Sequence, residues 1–183
     1  MAQCLAILAP SGRDSAVIHD ILRGAGVNSV EERSVTSVLT AIDEVRAGGA
    51  IFAEEALNDD GLVLIERWLD CQPPWSDLPI ILLTRGRGGP DANMTLAGRL
   101  GNVTVLERPL HPVTLVSAAR AALRARRRQH EAERHVEELE RSEKRLRDSE
   151  SKYRALFNTM DEGFCIIQFV DGPAGPLSDY VHV

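Results

Sequence analysis

Acidic, hydroxyl and basic side chains stand where several apolar runs of the sequence end. Ser11 follows the first run, Glu54 follows the third, Thr84 closes the fourth, and Arg108 and Pro109 follow the fifth. Ligand sites of doubly wound sheets lie at the carboxyl ends of their strands. Phosphoryl transfer to a carboxylate requires an acidic cluster that holds Mg²⁺, together with a hydroxyl and a cation that engage the phosphate oxygens. The residue types at these strand ends match part of that requirement.

The elements that would position these residues alternate along residues 1–124. Short, continuously apolar runs are typical of parallel strands that are covered on both faces. Between them, apolar residues recur at the i, i+3, i+4 spacing of helices with one buried stripe. This alternation predicts an α/β fold with a doubly wound, five-stranded parallel sheet, and the glycine-rich segment 85–102 predicts a short or irregular fourth helix. The predicted strands are Cys4–Ala9, a weaker run at Ser29–Val35, Gly49–Ala53, Leu78–Thr84 and Val103–Leu106.

Composition disfavours several classes of protein. With 183 residues and 44% hydrophobic content, the chain suffices for one complete domain and part of a second. A net charge of −6 disfavours a general nucleic-acid binder, because phosphate neutralisation needs a basic face. Cys4, Cys71 and Cys165 lie far apart without metal-ligand spacing, which predicts reduced thiols, a cytoplasmic location and neither a metal nor another cofactor. The run Cys4–Pro10 lacks a basic leader and is too short to cross a membrane, so no membrane contact is expected for this segment.

A single long helix is predicted from Val113 to Met160. This segment contains neither glycine nor proline, and a heptad pattern runs through it in one phase. A helix of this length would measure about 70 Å, which is more than one small domain can bury, so the pattern favours a parallel coiled coil between two copies of the chain. Polar residues at a positions, namely Gln129, Glu143 and Glu150, weaken that pairing and permit a change of register. The predicted dimer interface comprises Leu115, Ala118, Ala122, Val136, Leu139, Leu146 and Tyr153.

The stretch Val103–Leu110 resembles the last strand of a two-component receiver domain and the residues after it, where a lysine before a proline senses an aspartyl phosphate. The stretches Gln72–Pro79 and Asn102–Pro109 make residues 1–124 similar to the receiver-like domains at the N-terminus of some bacterial hybrid histidine kinases, upstream of PAS domains. The resemblance implies the strand order 2-1-3-4-5. It places Glu54 at the phosphoacceptor aspartate, Thr84 at the switch hydroxyl and Arg108 at the lysine. It also implies that the peptide bond between Arg108 and Pro109 is cis.

The chain departs from the receiver pattern at the residues that carry the chemistry. Where receivers have the acidic pair for Mg²⁺, the first strand leads into Ala9–Gly12, and a glutamate stands at the phosphoacceptor position. Asp14 is close in sequence but is expected in the first turn of a helix, where a carboxylate is favourable. We hypothesise that Glu54 and Arg108 form a permanent ion pair with Thr84 nearby. Such a pair would imitate a phosphorylated state.

The end of the chain resembles the entry to a PAS sensor domain. Lys152–Gly172 reads as an amphipathic helix that ends at Asp161–Gly163, followed by a strand at Phe164–Val170, and a second strand is expected at Ser178–Val183. The expected organisation is a degenerate receiver domain at 1–124, a dimerising helix at 113–160 and the start of a PAS domain at 161–183. The leading hypothesis is a non-catalytic module of a two-component sensor histidine kinase, which relays a signal through the paired helices to the PAS domain.

Two other functions stay open. One is a phosphoaccepting response regulator with an atypical site, and the other is a dimeric regulator that binds nucleic acid through the basic run Arg124–Arg128. Such a run is more typical of a solvated helix face, because neither interleaved aromatic residues nor a helix-turn-helix accompanies it. His130 and His135 lack the flanking pattern of kinase phosphoacceptors, and Arg85–Pro90 lacks the ending of a phosphate loop. None of these residues is expected to be catalytic.

Overall fold

A computed structural model describes residues 4–9, 13–44, 46–85, 89–159 and 167–182. The chain divides into two compact units, one that extends to Val136 and one that begins at Glu137. The first unit contains a five-stranded parallel sheet in the order β2-β1-β3-β4-β5. This order confirms the predicted doubly wound fold. The strands are β1 (Cys4–Leu8), β2 (Asn28–Glu31), β3 (Ala50–Ala53), β4 (Ile80–Thr84) and β5 (Val103–Glu107).

Helices follow the strands of this sheet. They are α1 (Arg13–Gly24), α2 (Val35–Asp43), α3 (Asp59–Asp70), α4 (Gly89–Leu100) and α5 (Pro112–Thr159). Side chains cap two of them, since Ser34 accepts a hydrogen bond from the Ser37 N–H and Asn58 accepts one from the Gly61 N–H. The Ser34 cap makes Val35 the first residue of α2, so β2 is shorter than predicted. The expectation of a short α4 was wrong, because α4 has 12 residues.

Alternate side chains of the central strands pack on opposite faces of the sheet. Phe52 and Leu82 belong to a cluster that α2 and α3 cover, whereas Ile51 and Leu83 belong to a cluster that α1 and α5 cover. Each of these four side chains is no more than 1% exposed. Strand β5 lies at the edge of the sheet with Thr104 and Val105 exposed, so the prediction that every strand is covered on both faces was wrong for β5.

The long helix forms as predicted, since α5 is continuous over 48 residues. Its first turns cover the sheet face of Ile51 and Leu83, and Leu115 and Ala119 are fully buried there. Ala122 is 9% exposed, and Ala118 packs against the same cluster. The assignment of Leu115, Ala118 and Ala122 to a dimer interface was therefore wrong, because the fold already uses these side chains to close its own core.

In the second unit, β6 (Ile167–Gly172) and β7 (Gly175–His182) form an antiparallel hairpin. The second strand begins earlier than the predicted Ser178, because the chain reverses between Gly172 and Gly175, where Gly175 has a positive φ of 123°. The predicted helix end at Asp161–Gly163 and the residues Phe164–Ile166 lie outside the described residues. No helix in the described part of the chain combines the length and the apolar character needed to cross a membrane.

Candidate functional site

The carboxyl ends of the central strands bring the candidate residues to one edge of the sheet. Glu54 begins a short 3-10 turn, Glu54–Ala56, directly after β3, while Thr84 is the last residue of β4. Arg108 follows β5, and its backbone N–H donates to the Thr84 carbonyl over 2.8 Å. The parallel register of β3, β4 and β5 therefore gathers these residues, as their positions in the sequence predicted.

An ion-pair network around Arg108 occupies this edge. Arg108 Nη2 lies 2.6 Å from Glu55 Oε2, and Arg108 Nη1 lies 2.9 Å from Asp14 Oδ2. The second oxygen of Glu55 pairs with Arg85 Nε. The Arg108 and Glu55 side chains are only 19% and 22% exposed, so their contact is partly shielded from water. Glu55 thus bridges two guanidinium groups, and Arg108 bridges two carboxylates.

The hypothesised ion pair between Glu54 and Arg108 was wrong. Glu54 Oε1 accepts a hydrogen bond from the backbone N–H of Arg85 over 2.9 Å, and the carboxylates paired with Arg108 are Glu55 and Asp14. The physical reason is the 3-10 turn, in which successive residues point in directions about a third of a turn apart. Glu54 therefore faces the end of β4, while the next residue, Glu55, reaches the arginines.

Thr84 is fully buried, and its hydroxyl has no hydrogen-bond partner among the described residues. The Nε of Arg108 is likewise buried without a described partner. Buried polar atoms normally find partners, because an unpaired one costs about 1–3 kcal/mol. The interior of the site therefore contains two buried polar atoms beside the charged network.

The remaining predicted site residues have mixed outcomes. The peptide bond between Arg108 and Pro109 is cis, which confirms the expectation from the resemblance. Asp14 lies in the first turn of α1, as expected, and its contact with Arg108 was not foreseen. Ser11 lies outside the described residues, so its place in the site stays a prediction.

Three residues of the network were missed by sequence reasoning, namely Asp14, Glu55 and Arg85. The signal for Glu55 was its position beside Glu54, since two successive carboxylates after a strand leave open which one faces the basic residue. The signal for Arg85 was its position directly after Thr84, at the same sheet edge. The sequence predicted Asp14 in the first turn of α1, which is correct, but it gave no sign of the contact with Arg108.

The network can hold charge in place, but it offers little to an incoming anion. Three carboxylates (Asp14, Glu54 and Glu55) and two guanidinium groups (Arg85 and Arg108) leave one net negative charge. Arg108 donates to two carboxylates already, and its remaining Nε is buried. No group of three or more histidine, cysteine or acidic side chains within the described ranges is arranged to hold a metal ion. The described side chains thus form a charge cluster in which the two guanidinium groups are already paired with carboxylates.

Comparisons with known proteins bear on the fold. No family model and no curated protein matches the chain. A candidate response regulator from Chloroflexus aurantiacus J-10-fl is 24% identical with a TM-score of 0.56, and the match covers 67% of this chain and 98% of that one. NtrX from Brucella abortus is 21% identical with a TM-score of 0.56, over 76% of this chain and 29% of that one. The chemotaxis response regulator CheY4 of Vibrio cholerae is 19% identical with a TM-score of 0.54, over 67% and 98%.

These identities are all below 25%, so the likeness concerns the fold. The strand order β2-β1-β3-β4-β5 and the flanking helices agree with it. The first unit of this chain therefore has the CheY-like fold of response-regulator receiver domains.

Proposed function

We propose that this chain is a non-catalytic signalling module of a two-component sensor histidine kinase. In this proposal, a degenerate receiver domain passes a conformational signal through α5, paired with a second copy, to a PAS domain that begins near the end of the chain. The module acts in the cytoplasm, needs no cofactor and contacts neither nucleic acid nor membrane. The observation that carries the proposal is the engagement of Arg108 by both Glu55 and Asp14.

A phosphoryl group at this site would need cationic partners for its oxygens. By the resemblance, Arg108 stands at the cation that receives the phosphate oxygens. In this protein two carboxylates already take that place, at 2.6 and 2.9 Å. A phosphoryl group on Glu54 would add negative charge to a cluster with a net negative charge, and it would have to displace Glu55 or Asp14 from Arg108. The network therefore supports a state that does not depend on phosphorylation.

The sequence after β1 supports the same proposal. It reads Ala9-Pro10-Ser11-Gly12 and so supplies no carboxylate where receivers have their acidic pair. Mg²⁺ prefers carboxylate and water oxygens in octahedral geometry and is usually held by one or two carboxylates together with the phosphate. Without that pair, the metal that neutralises charge during transfer loses its main ligands.

Incubation of the purified chain with acetyl phosphate and Mg²⁺ tests the proposal. We expect the intact mass to stay that of the unmodified chain, because the cation site is occupied and the acidic pair is missing. A receiver domain with an aspartate at the corresponding position serves as the positive control. A phosphoryl adduct mapped to Glu54, Glu55 or Asp14 would contradict the proposal.

A phosphoaccepting regulator with an atypical site is the second candidate, and one observation favours it. Asp14 brings a carboxylate from α1 to the strand ends, so the edge is richer in acid than the residues after β1 suggest. The same incubation decides between the two functions, because this candidate requires an adduct that depends on Mg²⁺. Asp14→Asn would abolish such an adduct if Asp14 served the metal.

The basic run gives less support to a nucleic-acid function. Arg126 within it is 8% exposed and bonded inside the first unit, so the run is not a continuous basic face. Arg124, Arg127 and Arg128 are exposed on α5. A labelled duplex that binds the chain with an affinity that falls steeply with salt would revive this candidate.

A further inference from the structure

The heptad stripe of α5 first serves the domain that carries it. Positions a of the first three heptads are Leu115, Ala122 and Gln129. Leu115 and Ala122 are buried in the sheet-facing cluster. Gln129 makes two hydrogen bonds to the backbone of Asp77, in the loop before β4. Its Nε2 donates to the Asp77 carbonyl over 2.7 Å, and its Oε1 accepts from the Asp77 N–H over 3.2 Å. Along this stretch, the domain occupies the place that a partner helix would need.

Arg126 reinforces the attachment of Gln129. Its Nη1 donates to Ser76 Oγ over 2.7 Å and to Gln129 Oε1 over 2.9 Å. Its guanidinium carbon lies 5.2 Å from the centre of the Trp75 ring, and the His130 ring lies 4.9 Å from the same tryptophan. Burial lowers the pKa of Arg126. We call the contact of Arg126 and Gln129 with Trp75–Asp77 the loop clamp.

The residues of the same heptad stripe are exposed to solvent after the loop clamp. Val136, Leu139, Leu146 and Tyr153 continue the a and d positions, and they are 55%, 66%, 72% and 61% exposed. Four large apolar side chains in one heptad phase form a seam that a second helix can cover. The stripe that the domain covers up to Gln129 thus continues without a described cover from Val136.

A short sequence repeat lies within this seam. Ser142-Glu143-Lys144-Arg145-Leu146-Arg147 and Ser149-Glu150-Ser151-Lys152-Tyr153-Arg154 share serine, glutamate, an apolar residue and arginine at a spacing of seven residues. Each repeat places serine at g, glutamate at a and arginine at e. Arg154 Nη2 lies 2.6 Å from Glu150 Oε1, so the glutamate at a has a cation from its own helix.

The repeat fits a parallel pair of identical helices in register. In that arrangement, each g residue lies beside the e residue of the next heptad on the second copy. These pairs are His135 with Glu140, Ser142 with Arg147 and Ser149 with Arg154, and none of them joins like charges. The serine at g also lies next to the glutamate at a of the second copy, where its hydroxyl can donate to the carboxylate. Glutamates that face each other at a make this pairing weak and concentration-dependent, and Glu150 has the additional contact with Arg154 of its own helix.

We propose that a second copy of this chain pairs with α5 in parallel and in register from Val136 onward, and that the loop clamp fixes this starting point. The inference rests on the proposed function in one step, namely that α5 pairs with a second copy. It adds the register, the first paired residue and the contact that prevents earlier pairing.

Disulfide mapping in the full chain tests the inference. In a background with Cys4, Cys71 and Cys165 replaced by alanine, one cysteine is placed at Ala132, Leu139 or Leu146, which are successive d positions. Ala132 is the matched control, since it is exposed and in the same phase but lies within the stretch next to the loop clamp. After mild oxidation, we expect disulfide-linked dimers from L139C and L146C and little from A132C.

Release of the loop clamp provides the second measurement. Gln129→Ala removes the hydrogen bonds to Asp77. The control, Arg124→Ala, removes an exposed arginine at a c position of the same helix, which takes no part in the loop clamp and does not face the second copy. With Q129A, the yield of linked dimer from A132C should rise by about fivefold, the factor expected for the loss of one net hydrogen bond. With R124A, the yield should stay unchanged.

The outcomes separate this inference from the rest of the proposed function. If A132C and L139C link equally, the proposed starting point is wrong. If the chain sediments as a dimer but does not link at Leu139 and Leu146, the proposed orientation is wrong. Both outcomes leave the pairing of α5 in place. A chain that sediments as a monomer at all concentrations overturns both the pairing and this inference. The incubation with acetyl phosphate tests the degenerate receiver separately, whatever the sedimentation result.

Discussion

The two halves of α5 share one heptad pattern and differ in what covers it. In the first half, Leu115 is fully buried under the sheet, and in the second half, Leu146 is 72% exposed in the same kind of position. The spacing of apolar residues reports which face of a helix is buried, but it does not report whether a domain or another chain buries it. A heptad repeat alone is therefore insufficient evidence for a coiled coil where a helix continues out of a domain.

The polar a positions sharpen this contrast. Gln129 and Glu143 were both interpreted as weak points of one coiled coil. Gln129 satisfies both backbone groups of Asp77, whereas Glu143 is exposed. Gln129 is polar because it binds a loop of its own domain, whereas Glu143 is polar because its surroundings are solvated. The same sequence feature thus has two physical causes in one helix.

Truncation of leucine should give the largest difference between the two halves. Leu115→Ala removes a fully buried side chain from the core and should lower the free energy of unfolding by about 2–5 kcal/mol. Leu146→Ala, in a dilute sample where the chain is monomeric, should change it by less than about 0.5 kcal/mol. Urea titration followed by circular dichroism measures both. Equal losses would show that the second half of α5 is buried within the monomer.

The polar a positions should differ by a smaller amount. Gln129→Ala leaves the Asp77 N–H without its partner and should cost about 1–2 kcal/mol, while the Asp77 carbonyl keeps a donor in Asn102. Glu143→Ala should cost close to nothing in the monomer. Amide hydrogen exchange at Asp77 reports the local effect directly, and it should accelerate only in the Gln129 variant. Acceleration in both variants would mean that the two residues are coupled.

Sequence reasoning succeeded where one local pattern determines the structure. The continuous apolar run Leu78–Thr84 predicted the buried strand β4, which covers Ile80–Thr84. The absence of glycine and proline after Val113 predicted the continuous helix. It failed where the outcome depends on packing between distant segments. The 3-10 turn after Ala53 determines whether Glu54 or Glu55 contacts Arg108, and no apolar periodicity in the sequence predicts that turn. The partner of Asp14 lies 94 residues away, a distance that no local pattern encodes.

Ion pairs extend the comparison from apolar to charged side chains. Glu55→Gln removes the carboxylate that bridges Arg85 and Arg108 in a partly buried site and should cost about 1–2 kcal/mol, because both guanidinium groups lose a charged partner. Glu150→Gln breaks a single exposed pair with Arg154 on the second half of α5 and should cost no more than about 0.5 kcal/mol. Thermal or urea unfolding of the two variants measures the difference. A larger loss for Glu150→Gln would place that residue in a structured contact.

The ion pair of Glu66 with Arg99 links α3 to α4. Its loss should have the smallest effect on the free energy of unfolding, and the effect should depend on pH. The hydrogen bond from Arg99 lowers the pKa of the Glu66 carboxyl below its ordinary value of 4.5. A depressed pKa in the folded state stabilises the fold above the ordinary pKa, and this stabilisation is lost as the pH falls through the folded-state value. Glu66→Gln should therefore lower stability slightly at pH 7, and the difference from the unaltered chain should shrink below about pH 4.5. A difference that grows as the pH falls would mean that Glu66 is held protonated, which would require burial that this surface pair does not have.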